Sequence, residues 1–158
     1  MGVKGNVPYL RTFIQPQPAV QTEWSISAPG HELWRVISVF YSLVTDVNVS
    51  NRSPGLIADD GTDTYWGAVT AAVQVASTTW NYCAFQGAGV AENTGNQNLL
   101  PLPGDGLWLQ PGWRLRSNTD NIQAGDRYSA IKVMVEAFPN GPATEWAPTI
   151  PRAEYERS

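Results

Sequence analysis

The chain has 158 residues, of which 42% are hydrophobic and only 15% are charged. This composition excludes an intrinsically disordered protein and is sufficient to bury one hydrophobic core. The formal net charge of −4 and the pI near 4.8 argue against a surface that neutralises nucleic-acid phosphates. We therefore expect one folded domain and no nucleic-acid partner.

Residues 1–21 are predicted to form an extended, polyproline-like arm, because Pro8, Pro16 and Pro18 interrupt any helix or central strand. The arm lacks the apolar stretch and cleavage site of a signal peptide, and the chain lacks a run of about 18 apolar residues, so we expect neither a signal peptide nor a membrane partner. Its large apolar residues need a surface to lie against, in the same domain or in a neighbouring subunit. These candidate interface residues are Tyr9, Leu10, Phe13 and Ile14.

Residues 22–138 are predicted to form a β-sandwich, because short stretches with β-type patterns alternate with turn signals. TEWSIS alternates up to the turn at residues 28–30, and ELWRVISVFYSLV is apolar on both faces, as in a central strand. TDVNVSN also alternates, with Val47 and Val49 on one side. It is predicted to be a strand with one face in water.

YWGAVTAAVQVASTTWNYCAF, residues 65–85, is long enough for two strands or for one strand with a bulge at Gly67. A helix over residues 68–76 is the competing interpretation, since its alanines favour a helix whereas its valines favour β structure. GAGVAENTGNQN is predicted to be a surface loop. GLWLQ and WRLRS each follow a turn sequence and are predicted to form two successive hairpins.

QAGDRYSAIKVMVEAF, residues 123–138, is the last predicted strand and begins with a turn. Alternation gives it one purely apolar face, formed by Ile131, Val133, Val135 and Ala137. With eight or nine strands and no helix, the predicted fold class is all-β, a single antiparallel β-sandwich. Residues 139–158 are again proline-rich and are predicted to be a second arm, whose candidate interface residues are Trp146, Ile150 and Tyr155.

Side chains suited to catalysis are few. Cys83 is the only cysteine, which excludes an internal disulfide, and it is predicted to be a small buried hydrophobe. His31, the only histidine, lies in a turn sequence and is predicted to be exposed. Arg114 and Arg116 lie two residues apart on one strand and are predicted to be a rim or interface pair.

The acidic residues are predicted to be turn residues. Asp59, Asp60 and Asp63 could bind Ca²⁺ or hydrolyse glycosides, but their spacing does not match an EF-hand, and Asp and Gly are common in turns. Asp105 and Asp126 each adjoin a glycine in a turn sequence. We therefore predict no catalytic, cofactor-binding or metal site.

The order of the motifs resembles that of small β-sandwich virion structural proteins of tailed bacteriophages. The motifs are W-x-V within residues 33–44, V-x-V-x-N-R at 47–52, L-x-x-G-x-x-L at 109–115, N-I-Q-A-G-D at 121–126 and V-x-V-E at 133–136. The resemblance covers about residues 22–138. It implies a jelly-roll-like or related sandwich that docks to other virion proteins, in a virion that is assembled in the host cytoplasm. The possible roles are a capsid decoration or minor capsid protein, a head fibre, or a neck or tail component. We expect a decoration protein.

The residues themselves also favour an assembly role. Arms that order on docking bury a large surface with little chain, and an arm can add a strand to the sheet edge of a neighbour. If identical copies exchange arms around a ring, a symmetric homo-oligomer results. This hypothesis depends on the apolar residues of the arms.

A carbohydrate-binding module is the alternative, because tryptophan rings can stack on sugars, including glycans of a host surface. Trp34 and Trp80 lie in strongly apolar stretches and are predicted to be core residues. The candidate platform residues lie near turns or in an arm and are Trp66, Trp108, Trp113 and Trp146.

Overall fold

A computed structural model of the protein describes residues 7–89 and 91–139. This part of the chain contains eleven β-strands and no helix, and therefore no helix that could cross a membrane. The strands are β1 (Tyr9–Ile14), β2 (Ser25–Ser27), β3 (Glu32–Val44), β4 (Gly55–Asp59), β5 (Thr64–Val69), β6 (Thr79–Gln86), β7 (Glu92–Thr94), β8 (Gln97–Leu102), β9 (Leu107–Leu109), β10 (Arg114–Ser117) and β11 (Arg127–Pro139).

The strands form two sheets that pack together as a β-sandwich, which confirms the predicted fold class. The larger sheet has the order β1-β11-β3-β6-β8-β7, with β9 beside the first part of β3, and the smaller sheet has the order β2-β10-β4-β5. All pairs are antiparallel except β6 and β8. The predicted antiparallel sandwich thus contains one parallel pair, because the β7–β8 hairpin places β8 beside β6 in the same direction.

The core lies between the two sheets. The predicted apolar face of β11 is confirmed, since Ile131, Val133, Val135 and Ala137 are fully buried. At the centre of the core, Tyr41 stacks on the ring of Tyr82 at a centroid distance of 4.9 Å. Trp24 and Tyr128 meet Tyr41 edge-on.

The segment between β3 and β4 is a loop, so the strand predicted for TDVNVSN is wrong. Both valines of its alternating pattern are exposed, Val49 almost completely at 99%. The polar side chains determine the path of the backbone here: Asp46 accepts a hydrogen bond from the amide of Asn48, and Arg52 turns into the interior. Alternation alone does not distinguish such a loop from a strand.

Residues 65–85 contain parts of two strands, β5 and β6, and the interpretation of residues 68–76 as a helix is wrong. The connection between the strands is fixed by Gln74, whose side chain is fully buried. Its Nε2 donates to the carbonyl of Leu43 at 2.8 Å, and its Oε1 accepts from the hydroxyl of Tyr82 at 2.7 Å. These bonds to the neighbouring strands hold the connection, which contains a turn at residues 76–77, against the sandwich.

Two pairing predictions are also wrong. The supposed surface loop GAGVAENTGNQN contains β7 and the start of β8, which form a hairpin. GLWLQ and WRLRS do form strands, but β9 pairs with β3 in the larger sheet, whereas β10 pairs with β2 and β4 in the smaller one. The chain therefore passes from the larger to the smaller sheet between β9 and β10. Both strands face the core, where Leu107, Leu109 and Leu115 are buried.

The described part of the N-terminal segment belongs to the sandwich. Residues 9–14 form the edge strand β1, paired with β11 from Tyr9 opposite Ala137 to Ile14 opposite Lys132. The polyproline-like geometry predicted for them is wrong, because the prolines lie outside the strand and leave its ladder intact. Trp146, Ile150 and Tyr155 lie outside the described residues.

Candidate interaction surface

The outer surface of the larger sheet carries apolar side chains from six of its strands. We define the apolar face by Leu10, Ile14, Phe40, Cys83, Phe85, Leu99, Pro101, Trp108, Met134 and Phe138. The register places them on one side; for example, Ile14 lies opposite Lys132, which lies opposite Phe40. Leu10 and Ile14 are 68% and 75% exposed, and Phe85 and Trp108 are also exposed.

The charged groups on this surface are paired with one another or with aromatic rings. The guanidinium of Arg35 forms a salt bridge with Glu136 and lies 5.8 Å from the centroid of the Trp108 ring. The ammonium of Lys132 lies 5.9 Å from the centroid of the Phe40 ring. An exposed cluster of apolar side chains of this kind is typical of a protein interaction site.

Glu32, at the start of β3, holds β1 on the sheet. Its carboxylate accepts hydrogen bonds from the hydroxyl of Tyr9 at 2.6 Å, from Nη1 of Arg11 at 3.0 Å and from Nε1 of Trp34 at 2.7 Å. Burial alone would raise the pKa of Glu32, but the hydrogen bonds from Trp34 and Tyr9 hold the pKa below its ordinary value. The anionic carboxylate therefore anchors the edge strand.

The four N-terminal interface candidates divide into two pairs. Tyr9 binds Glu32, and Phe13 packs on Trp34 with a centroid distance of 4.8 Å, so both contact their own domain. Leu10 and Ile14 point away from the core and extend the apolar face to the sheet edge. Of the two pairs, only Leu10 and Ile14 lie on the outer surface of the sheet.

A shallow depression of about 250 Å³ lies on the apolar face, lined by Cys83, Thr94, Gln97, Asn98 and Leu99. Asn98 is only 3% exposed, and its Oδ1 accepts a hydrogen bond from Asn93. Its Nδ2 has no hydrogen-bond partner among the described residues. Asn98 lies on the core-facing side of β8 with Leu100 and Leu102, so this buried donor belongs to the interior of the sandwich and not to the outer surface of the depression.

Cys83 lies on this face and is half-buried, so the prediction of a buried core position is wrong. Burial raises the pKa of its thiol, which opposes formation of the nucleophilic thiolate. His31 is exposed, as predicted, and precedes β3, whereas Cys83 lies opposite Phe40 farther along that strand. The structure therefore does not bring the histidine and the cysteine together.

The outer surface of the smaller sheet carries an arginine–aspartate cluster beside the exposed side chains of Tyr65 and Val69. Arg114 and Arg116, the predicted rim pair, both donate hydrogen bonds to the carboxylate of Asp59 on the neighbouring β4. They therefore link β10 to β4. Burial alone would raise the pKa of Asp59, but these two guanidinium groups hold it below its ordinary value. No cluster of metal-ligating side chains occurs within residues 7–89 and 91–139.

The candidate glycan-platform residues do not share one surface. Trp66 packs against the core from β5, and Trp108 lies on the apolar face of the other sheet. Trp113 also packs against the core, and its ring is stacked with that of Tyr65 at a centroid distance of 4.0 Å. The half-exposed ring of this pair is Tyr65.

The sequence patterns did not predict that Arg52 pairs with Asp126. The two residues belong to two different motifs. Arg52 is fully buried, and its guanidinium donates to both carboxylate oxygens of Asp126 at 2.9 Å. It also donates to Asp46 at 2.6 Å and to the carbonyls of Asn48 and Ser50. Asp126 is thus more than the turn residue that was predicted. The sequence signal was an arginine in V-x-V-x-N-R and an aspartate in N-I-Q-A-G-D, with no spacing to connect them.

Comparison with known proteins assigns no family: no family model matches the chain, and no curated protein matches its sequence. The surface chemistry of the described residues therefore provides the structural basis for a functional proposal. Of the two outer surfaces, the apolar face is the one whose composition points to a protein partner.

Proposed function

We propose that this protein is a non-enzymatic structural protein of a bacteriophage virion that docks to other virion proteins through its apolar face. The observation that carries the proposal is the exposed apolar surface of the larger sheet, which continues onto the edge strand β1. The order of sequence motifs supports the phage context, and a single compact domain with adhesive arms suits a capsid decoration protein. The jelly-roll-like topology implied by the same resemblance stays a prediction.

A homo-oligomer is part of this proposal. Strand β1 lies at the edge of the larger sheet, and among the described residues no strand pairs with its outer side. Such an edge can receive a strand from another chain, and the terminal arms of a neighbouring copy are candidate donors. The mass of the purified protein by light scattering tests this part, with an oligomer as the expected result and a monomer at all concentrations as the contradicting one.

The docking surface is tested by a charge placed at its exposed positions. The double variant Ile14→Asp/Phe85→Asp puts two carboxylates on the apolar face, and Ser27→Asp is the matched control on the exposed side of the smaller sheet. Cosedimentation with shells of the major capsid protein of the same virus is the measurement. We expect the double variant to lose at least about tenfold in affinity, as for residues at the centre of an interface, and the control to bind like the wild type.

Two outcomes would contradict the proposal. Equal binding of the double variant and the wild type would remove the apolar face from docking. Binding of the wild type to isolated tails or necks, and not to capsid shells, would replace the capsid assignment by the neck or tail alternative.

A further inference from the structure

We propose that the open edge of β1 pairs with β1 of a second copy, antiparallel and about a two-fold axis at Thr12. The two larger sheets then join into one continuous sheet. This proposal rests on the homo-oligomer of the proposed function and deepens it, because it names the strand that joins the copies. The partner of β1 is β1 itself and not a terminal arm.

The hydrogen bonds of β1 show which of its backbone groups are free. The amide of Gln15, directly after the strand, donates to the carbonyl of Ile131 at 3.0 Å. Antiparallel neighbours exchange hydrogen bonds at every second residue pair, so the odd-numbered residues of β1 bond to β11. The backbone groups of the even-numbered residues therefore point away from β11. We call these the open residues: Leu10, Thr12 and Ile14.

This edge lacks the features that normally prevent pairing with another chain. Proteins block free edges with lysines, inward-pointing charges, bulges or prolines within the strand. The only charged residue of β1 is Arg11, and the carboxylate of Glu32 in the same domain binds it. The register with β11 is continuous from Tyr9 to Ile14, so the strand has no bulge. Among the described residues no strand occupies the open side, which is therefore free to receive one.

The prolines on either side of β1 select one register for two identical strands. A proline has no N–H, so the carbonyl opposite a proline is left without a donor. Pro8 and Pro16 lie four residues before and after Thr12. A two-fold axis at Thr12 therefore places the prolines opposite each other, where neither takes a donor from an open residue. In every two-fold register centred elsewhere within β1, a proline faces one of the open residues.

The side chains are complementary in the same register. Leu10 of each copy lies opposite Ile14 of the other, and the two Thr12 side chains lie opposite each other. Apolar pairs and threonine pairs are among the cross-strand pairs that stabilise sheets. Arg11 lies opposite Phe13 of the other copy, so the register avoids a contact between two guanidinium groups. Leu10 and Ile14, both strongly exposed in the single chain, each gain an apolar neighbour.

The pairing also extends the surface proposed for docking. The two-fold axis is perpendicular to the sheet, so the apolar faces of both copies lie on the same side. About six hydrogen bonds form, two at each pair of open residues. Two six-residue strands make a small interface, and small interfaces are typical of weak complexes. We therefore expect a dissociation constant in the micromolar range.

Thr12→Pro tests the pairing at its centre. The variant removes an amide that points to the open edge, and a proline in such a position of an edge strand leaves the ladder to β11 intact. Light scattering from about 10 to 500 µM gives the mass as a function of concentration. We expect the wild type to approach twice the chain mass of 17.3 kDa, and the dissociation constant of Thr12→Pro to be at least about tenfold higher.

Thr12→Val is the matched control, because it keeps the amide and the shape of the side chain, and it should dimerise like the wild type. Melting temperatures establish that all three proteins are folded. A wild type that stays monomeric up to about 500 µM would overturn the proposal. So would equal dissociation constants for the wild type and Thr12→Pro.

A cross-link distinguishes β1 from an arm as the partner strand. In Cys83→Ser/Thr12→Cys, the two introduced thiols lie on paired strands whose Cα atoms are about 5.5 Å apart. A short bismaleimide, which adds one thiol at each end, should therefore join two chains into a dimer on a denaturing gel. Cys83→Ser/Ser27→Cys carries its thiol on the exposed side of the smaller sheet and should remain mostly monomeric. Equal cross-linking of the two variants would overturn the proposal.

These outcomes separate the proposal from the proposed function. An oligomer that survives Thr12→Pro would leave the homo-oligomer standing and overturn only the role of β1. Neither measurement uses capsid shells. A dimer joined through β1 that does not bind shells would contradict the docking function and leave the pairing intact.

Discussion

Arg52 shows how one buried side chain can hold a long loop without regular structure. All of its nitrogens donate to oxygen atoms, of which two belong to the fully buried carboxylate of Asp126. The backbones of Arg52 and Gln74 also exchange two hydrogen bonds, so this residue links three separate segments of the chain. A buried cation with this many partners is tolerated only because each donor is satisfied.

We predict that Arg52→Met destabilises the protein by about 3–5 kcal/mol, because it leaves the carboxylate of Asp126 buried without a cation. Urea unfolding followed by tryptophan fluorescence measures the change. Arg127→Met, the same substitution at an exposed position, is the control and should change the free energy of unfolding by less than about 0.5 kcal/mol. Equal stability of the two variants would show that the Arg52 network contributes nothing.

The turn between β4 and β5 makes stability depend on pH. The hydroxyl of Tyr65 and the amides of Asp63 and Thr62 donate to Asp60 and lower its pKa from 3.8 to about 2. The same bond raises the pKa of Tyr65 to about 12. Because the pKa of Asp60 is depressed in the folded state, its contribution is present above pH 3.8 and is lost as the pH falls towards 2.

We therefore predict that Asp60→Asn reduces the loss of stability that the protein shows as the pH falls. Asparagine keeps an acceptor oxygen for the two amides but does not titrate. The measurement is the melting temperature of the wild type and the variant from about pH 5 to pH 2, where the wild type should lose more. Parallel curves would contradict this role of Asp60. Other carboxylates with depressed pKa values, such as Asp59, produce the decline that both proteins share.

At the scale of elements, Gly55 shows why β4 and β5 can pair as closely as they do. A Cβ atom at Gly55 would lie 2.5 Å from the carbonyl oxygen of Ala68 on β5, a distance that requires the strand to shift. The backbone of Asn118 lies on another side at 3.3 Å. A glycine is therefore required for close approach, and not for a turn.

We predict that Gly55→Ala destabilises the protein by about 1–3 kcal/mol through this overpacking. Gly104→Ala is the matched control, since no atom lies within 4 Å of the added carbon there, and it should shift stability by less than about 0.5 kcal/mol. The midpoint of urea unfolding compares the two. A similar midpoint for both variants would mean that the smaller sheet adapts freely.

The strands that the sequence predicted best are those buried on at least one face. The bounds of ELWRVISVFYSLV agree with β3, because an apolar pattern on both sides requires a central position. The failures occur where polar side chains determine the path, as with Asp46 and Arg52 before β4. There, hydrogen bonds between residues distant in sequence prevail over the local alternation.

At the scale of the whole molecule, the two outer surfaces differ in chemistry. The smaller sheet presents arginines paired with Asp59, whereas the larger sheet presents the apolar face. The two outer surfaces of the sandwich are therefore chemically distinct. The proposed function follows from this asymmetry.

The sequence by itself determined the all-β class, the central strand β3 and the buried face of β11. Apolar periodicity is a local property, and the need to bury it fixes strand identity. Only the tertiary structure decided which strands pair, that Arg52 meets Asp126 and that Cys83 lies on an outer face. These features join residues far apart in the chain, so they depend on sheet order and register, which alternation does not specify.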